Sequence, residues 1–196
     1  MKRPLSVLSL VLVLAGCGGA QVRVAEPTVD TSDPAQLYPM GEGFIWTYDI
    51  DTQTEMATLG IYRVTRMSGD EVAIRPDGGD EVVYVRTPEG IVRQATGRFV
   101  LRGPLREGAE WPASADGTRM ARVTSMHATA DVGAGHYEDC VEVSEAGGDA
   151  GLTVRTVYCA GVGPVIVETH QELITSMEGG ITVTATLRGF QQGEDE

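Results

Sequence analysis

The run ITVTATLRGF near the C-terminus alternates without a break, with Ile181, Val183, Ala185 and Leu187 on one side and Thr182, Thr184, Thr186 and Arg188 on the other. A period of two marks a strand with one buried face, and a helix has no use for it. Most of the chain obeys the same grammar. FIWTYDI, LGIYRVTRM, DEVAIR, DEVVYVR, GIVRQA and RFVLRG are short β-prone runs separated by SGD, PDGGD, TPEG and TGR, and RMARVTSM, HATADV and PVIVETHQELI follow. Past the first residues no window of twelve or more carries a helical stripe, so at most a turn or two of helix is expected, at Asp33-Pro34-Ala35. The expectation is an all-β single domain of about 10–12 antiparallel strands in a curved sheet, half-barrel or barrel, with little helix.

One phrase occurs twice. Pro39, Met40, Glu42, Gly43 and Trp46 recur as Pro104, Leu105, Glu107, Gly108 and Trp111, and these are the two tryptophans of the chain. Proline fixes φ and lacks a donor, which suits a strand entry, and Glu-Gly supplies a turn whose glycine can take positive φ. Alternation then carries Trp46 and Tyr48 to one face. The phrase reads as a turn that delivers an aromatic plug into the core, used at the start of two related halves or as one solution employed twice. The competing reading makes Trp46, Tyr48 and Trp111 the wall of a ligand pocket.

A second hairpin is readable in register. In YEDCVEVSEAGGDAGLTVRTVYCAGVG two β-prone runs flank AGGDAG, and a turn centred between Asp149 and Ala150 sets Cys140 opposite Cys159, Val141 opposite Tyr158 and Val143 opposite Thr156. The other face pairs Ser144 with Arg155 and leaves Glu142 one diagonal step from that arginine. In an oxidising compartment the expected state is a Cys140–Cys159 disulfide, against two free thiols or a metal pair.

The compartment follows from the N-terminus. MKRPLSVLSLVLVLAGCGG opens on Lys2 and Arg3 and continues with an apolar run from Leu5 to Gly16. In helix those twelve residues would rise roughly 18 Å, short of the ~30 Å hydrocarbon core, which fits a removed leader better than a permanent span. Leu14-Ala15-Gly16-Cys17 resembles the bacterial lipobox, which implies cleavage before Cys17 and acylation of that residue. Two or three acyl chains at about 0.8 kcal/mol per buried CH₂ make a stable anchor where one does not. The expected divisions are a leader over 1–16, a flexible tether over 17–36, a β domain over 37–190 and an acidic tail over 191–196. No Asp follows Cys17, which points to the outer membrane, with the domain facing the periplasm. Losing Lys2 and Arg3 takes the net charge from −13 to −15, a surface that repels nucleic acid and anionic lipid head groups.

LYPMGEGFIWTYD, FVLRGPLREGAEW, YEDCVEVSE and YCAGVGPVIVE stand in an order that resembles a group of bacterial envelope proteins, often lipoproteins, some of them called TapB-like after a protein implicated in assembling a trimeric autotransporter passenger. The resemblance spans about residues 37 to 170 and is most specific at Gly161-Val162-Gly163. It implies a curved, mostly antiparallel β fold and no established catalytic residue. Here the second segment reads Glu110-Trp111-Pro112 where other members often have Thr-Trp, which puts the continuation of that strand in question.

Catalytic signatures are missing from the sequence. GGDEV, from Gly78 to Val82, looks like a cyclase signature but sits between two strand runs and reads as a hairpin turn. His127, His136 and His170 are the only imidazoles, and His170 shares a strand face with Glu168 and Glu172 in a solvated stripe or an adventitious metal site. No His-Glu-x-x-His pair, nucleophile elbow or phosphate-binding Gly-Lys loop occurs. The expectation is a non-enzymatic, membrane-anchored envelope lipoprotein without metal or cofactor, binding an envelope protein or an apolar ligand. The alternatives are a purely structural or interaction module and, more remotely, an enzyme.

Overall fold

A computed structural model describes residues 30–53, 58–148, 151–172 and 180–193. The leader, Cys17 and the tether up to residue 29 lie outside the described residues, as do the centre of the second hairpin's turn at 149–150 and the last three residues of the acidic tail. A four-residue helix α1 (Pro34–Leu37) precedes twelve strands: β1 (Ile45–Asp51), β2 (Thr58–Ser68), β3 (Glu71–Pro76), β4 (Val82–Thr87), β5 (Gly90–Arg93), β6 (Arg98–Arg102), β7 (Glu110–Pro112), β8 (Arg119–Val132), β9 (Gly135–Gly147), β10 (Leu152–Cys159), β11 (Gly163–Gln171) and β12 (Ile181–Gln191).

All twelve strands form one antiparallel sheet. Consecutive strands other than β6 and β7 are neighbours, and β1 also pairs with β12 from Ile45↔Gln191 to Asp51↔Thr184, so the sheet curls round on itself into a nearly closed barrel. The seam lies between β6 and β7, which share no ladder. Pairing the first strand with the last removes two edges that would otherwise be open to aggregation. The outward face carries ion pairs such as Arg63–Asp77, Arg75–Glu81, Arg155–Glu142 and Arg188–Asp49. A lipid-facing barrel wall could not bear these, so the strands are built for water outside and a core within. Among the described residues no helix is long and apolar enough to cross a membrane.

The repeated phrase opens each six-strand half. Gly43 and Gly108 both adopt positive φ, 72° and 80°, as the turn requires. The Phe44 N–H donates to the Gly41 carbonyl and the Ala109 N–H to the Arg106 carbonyl, and the next strand's Val64 and Val123 donate to Phe44 and Ala109 respectively. Met40 and Leu105 are buried, and Trp46 and Trp111 are each 1% exposed. The duplication in sequence is therefore a duplication of local structure, with β1 and β7 in corresponding places. The copies differ after the tryptophan: β7 stops at Pro112, which cannot donate to a ladder, whereas β1 continues to Asp51.

Residues 33 to 36, expected in the tether, belong to the fold. Asp33 caps α1 by accepting from the Ala35 N–H at 2.9 Å, and Pro34 and Leu37 are buried. The Leu105 N–H donates to the Ser32 carbonyl and the Gly161 N–H to the Gln36 carbonyl, which moors this segment across one end of the barrel.

The second hairpin has the expected register: Val141↔Tyr158, Val143↔Thr156 and Ser144↔Arg155 are paired, and Cys140 and Cys159 form a disulfide with Cα atoms 4.4 Å apart. Its supposedly polar face differs from expectation. Cys140, Val157 and Cys159 are buried there. Three irregularities in the β8–β9 pairing bend that long hairpin, and its tip reaches β12, where the Ala134 N–H donates to the Leu187 carbonyl at 3.0 Å. Cys140, Val157 and Cys159 are thus buried on the same face as Arg155 and its partner Glu142.

Candidate ligand cavity

The inward faces of the strands do not fill the barrel. Two adjoining chambers remain, of about 250 and 330 Å³, and Tyr38, Tyr84, Arg93, Pro164 and Val167 line both. The first is aromatic: Trp46, Tyr48 and Tyr62 join Tyr38 and Tyr84, with Ile74, Val82 and Ala185 between them. The second is mixed, with Phe99, Leu152, Val154 and Tyr158 beside Arg98, Arg119, Glu145 and Thr156.

The aromatic chamber is held from β1. The Trp46 indole N–H donates to the Val162 carbonyl and the Tyr48 hydroxyl to the Pro164 carbonyl, each at 2.7 Å, so two side chains of one strand fix the Gly161-Val162-Gly163 turn and the start of β11. A Cβ at Gly163 would lie 3.2 Å from the Trp46 indole nitrogen, and its φ of 110° further favours glycine. Tyr38, following α1, packs edge-on against Trp46 and Tyr84 and tilts against Tyr158, closing this end of the cavity. Burial pushes the Tyr38, Tyr48 and Tyr158 hydroxyls well above the usual phenol range, so all three are neutral donors at physiological pH.

The second chamber concentrates positive charge. Arg93 and Arg98 stand directly opposite each other on β5 and β6, on the inward face with Tyr84. Across the cavity Arg119 Nε lies 3.1 Å from Glu145 Oε2. Desolvation raises the Glu145 carboxyl above its ordinary value, opposed by the nearby Arg119 and Arg93 charges. Arg98 donates to the Ala115 carbonyl at 2.6 Å, yet its Nε, like that of Arg119, is buried without an acceptor in hydrogen-bonding geometry among the described residues. The Arg93 side chain, exposed at the mouth, makes no hydrogen bond or ion pair among the described residues.

Of the residues singled out in sequence, Trp46 and Tyr48 line the aromatic chamber while also serving as core, so the plug and wall readings coincide for them. Trp111 lines neither chamber; its indole N–H donates to the Phe99 carbonyl at 3.2 Å and clips β7 to β6 across the seam. His170 bonds to Thr182, and no group of three or more potential metal ligands occurs among the described residues. GGDEV occupies the β3–β4 turn, with Gly78 at a φ of 75°.

Sequence reasoning missed Tyr38, Tyr62, Tyr84 and the arginines. One signal was present for Glu145: carrying the second hairpin's register two residues further puts it opposite Val154 on the apolar face.

These features define a class: a small antiparallel barrel with an internal cavity, carried on a chain with a lipid attachment site. Residues 1–17 match the model for the prokaryotic membrane lipoprotein lipid attachment site. Among solved structures the chain is similar to a protein assigned as exported, with a YmcC-like fold, from Bacteroides fragilis, at 12% identity and a TM-score of 0.45, covering 79% of this chain and 98% of that one. A protein assigned as a lipoprotein from Parabacteroides distasonis is similar at 12% identity and a TM-score of 0.38, with the same coverages. No curated protein matched the chain.

Proposed function

We propose that this lipid-anchored protein is a non-enzymatic binding protein of the bacterial envelope, taking an apolar ligand into its barrel. The observation that carries the reading is the aromatic chamber of about 250 Å³, plugged at one end by α1 and Tyr38. Ligand pockets are concave, mainly apolar and supplied with a few fixed polar groups, and the neutral Tyr hydroxyls are such groups. The reading puts the anchor in the outer membrane and the barrel in the periplasm, which the absence of Asp after Cys17 supports.

The test is mass spectrometry of organic extracts from the acylated protein, purified from its own envelope, beside an Ala185→Phe variant that fills the chamber. One small molecule per chain in the native protein, lost in the variant, is the expected result. An extract no richer than the variant's would refute it.

A second reading, a protein partner in envelope assembly, draws on the TapB-like resemblance. The open β6 and β7 edges favour it, because unpaired strand edges accept an added strand. A stoichiometric protein in place of the small molecule would select it.

A further inference from the structure

Resting on that binding role, the chemistry of the second chamber specifies the ligand further. We infer that the barrel takes an amphipathic organic anion, with its apolar body among Tyr38, Trp46 and Tyr48 and its anionic head group at Arg93, Arg98 and Arg119. The protein as a whole carries a net charge of −13, yet the charged residues lining this cavity are three arginines and one glutamate. The sign is thus inverted in the lining of the second chamber. Like charges placed directly across a ladder destabilise it, and Arg93↔Arg98 is such a pair. Glu145 is ion-paired with Arg119; its charge is felt at Arg93, but no carboxylate among the described residues makes ion-pair contact with Arg93 or Arg98. A buried guanidinium N–H without an acceptor, as at Arg98 Nε, is costly unless something supplies one. An anion lodged between the two strands would relieve the repulsion and accept from these donors, since planar guanidinium forks match carboxylate and phosphate oxygens.

The two chambers are adjoining, and Arg93 is the one charged residue that lines both. A single molecule can thus place its head at Arg93 while its body extends toward Trp46. The acidic outer surface disfavours extended polyanions, whereas one charge with an apolar tail gains more from the cavity than it loses at the mouth.

Calorimetric titration of the acylated protein in phosphatidylcholine nanodiscs, with empty nanodiscs as blank, tests this using octanoate, octan-1-ol and inorganic phosphate. Octanoate is expected to bind at least about tenfold more tightly than octan-1-ol, and Arg93→Gln and Arg98→Gln to remove that advantage while leaving octan-1-ol unchanged. Arg93→Gln removes a like-charge opposition, so its melting temperature should not fall, and this separates lost recognition from lost folding. Equal binding of octanoate and octan-1-ol, unaltered in the variants, overturns the head-group assignment and leaves the apolar cavity standing. Phosphate binding as tightly as octanoate overturns the amphipathic requirement. Binding of none of the three overturns both this inference and the proposed function.

Discussion

The Trp111 side chain bridges the β6–β7 seam. The two strands share no ladder, and the indole N–H donating to the Phe99 carbonyl at 3.2 Å joins them from a ring that is 1% exposed. Trp111→Phe keeps the plug but deletes the donor. The lost bond costs about 1 kcal/mol, with the Phe99 carbonyl left short of a partner. Removing roughly 40 Å³ of ring adds about 1 kcal/mol if the cavity stays open. The sum, about 2 kcal/mol, corresponds to a fall in Tm of about 4–8 °C for a domain of this size. Because the loss falls at the seam, hydrogen exchange followed by mass spectrometry should accelerate by about thirtyfold over residues 98–102 and 110–112, and far less over β1 and β12. A Tm within about 1 °C of the native value, with exchange at the seam unchanged, would refute the clip.

Replacing Cys140 and Cys159 together with alanine releases a cross-link spanning 19 residues, which should cost about 3 kcal/mol, or about 6–12 °C in Tm by thermal scanning; an unchanged Tm would count against the disulfide as a stabiliser. The Ser114 and Thr118 hydrogen bonds lower the Asp116 carboxyl from 3.8 to about 2, so this turn's contribution to stability is fully present above the ordinary value and is lost as pH falls toward about 2. A carbon-13 NMR titration of Asp116 should show the low midpoint, and Ser114→Ala should raise it. Cys17→Ser should abolish palmitate labelling and release the barrel from the membrane fraction, and a variant that stayed labelled would displace the anchor from that residue.

Some features were legible because they are local. Alternation exposes a strand wherever it occurs, the Glu-Gly turns announce themselves by a glycine at positive φ, and the β9–β10 register follows from one short loop. Burial was less legible than alternation. Leu187 is fully buried, but Ile181, on the same side of the same strand, is 49% exposed because it starts β12 at the end farther from α1. The ligand cavity was half visible: Trp46 and Tyr48 stood out as aromatics in a repeated phrase, whereas nothing in the strand runs GIVRQA and RFVLRG singles out Arg93 or Arg98.

By itself the sequence determined the lipid attachment site at Cys17, the antiparallel strand repertoire, the two equivalent strand entries and the pairing of Cys140 with Cys159. Only the tertiary structure decided that β1 closes against β12, that the tip of the bent β8–β9 hairpin reaches β12, and that three arginines from separate strands meet one glutamate inside an acidic protein. The division has one physical cause. Periodicity, turn chemistry and short-loop register depend on neighbours in the chain, whereas barrel closure and the contents of its lumen depend on contacts between residues more than a hundred positions apart, such as Trp46 with Val162.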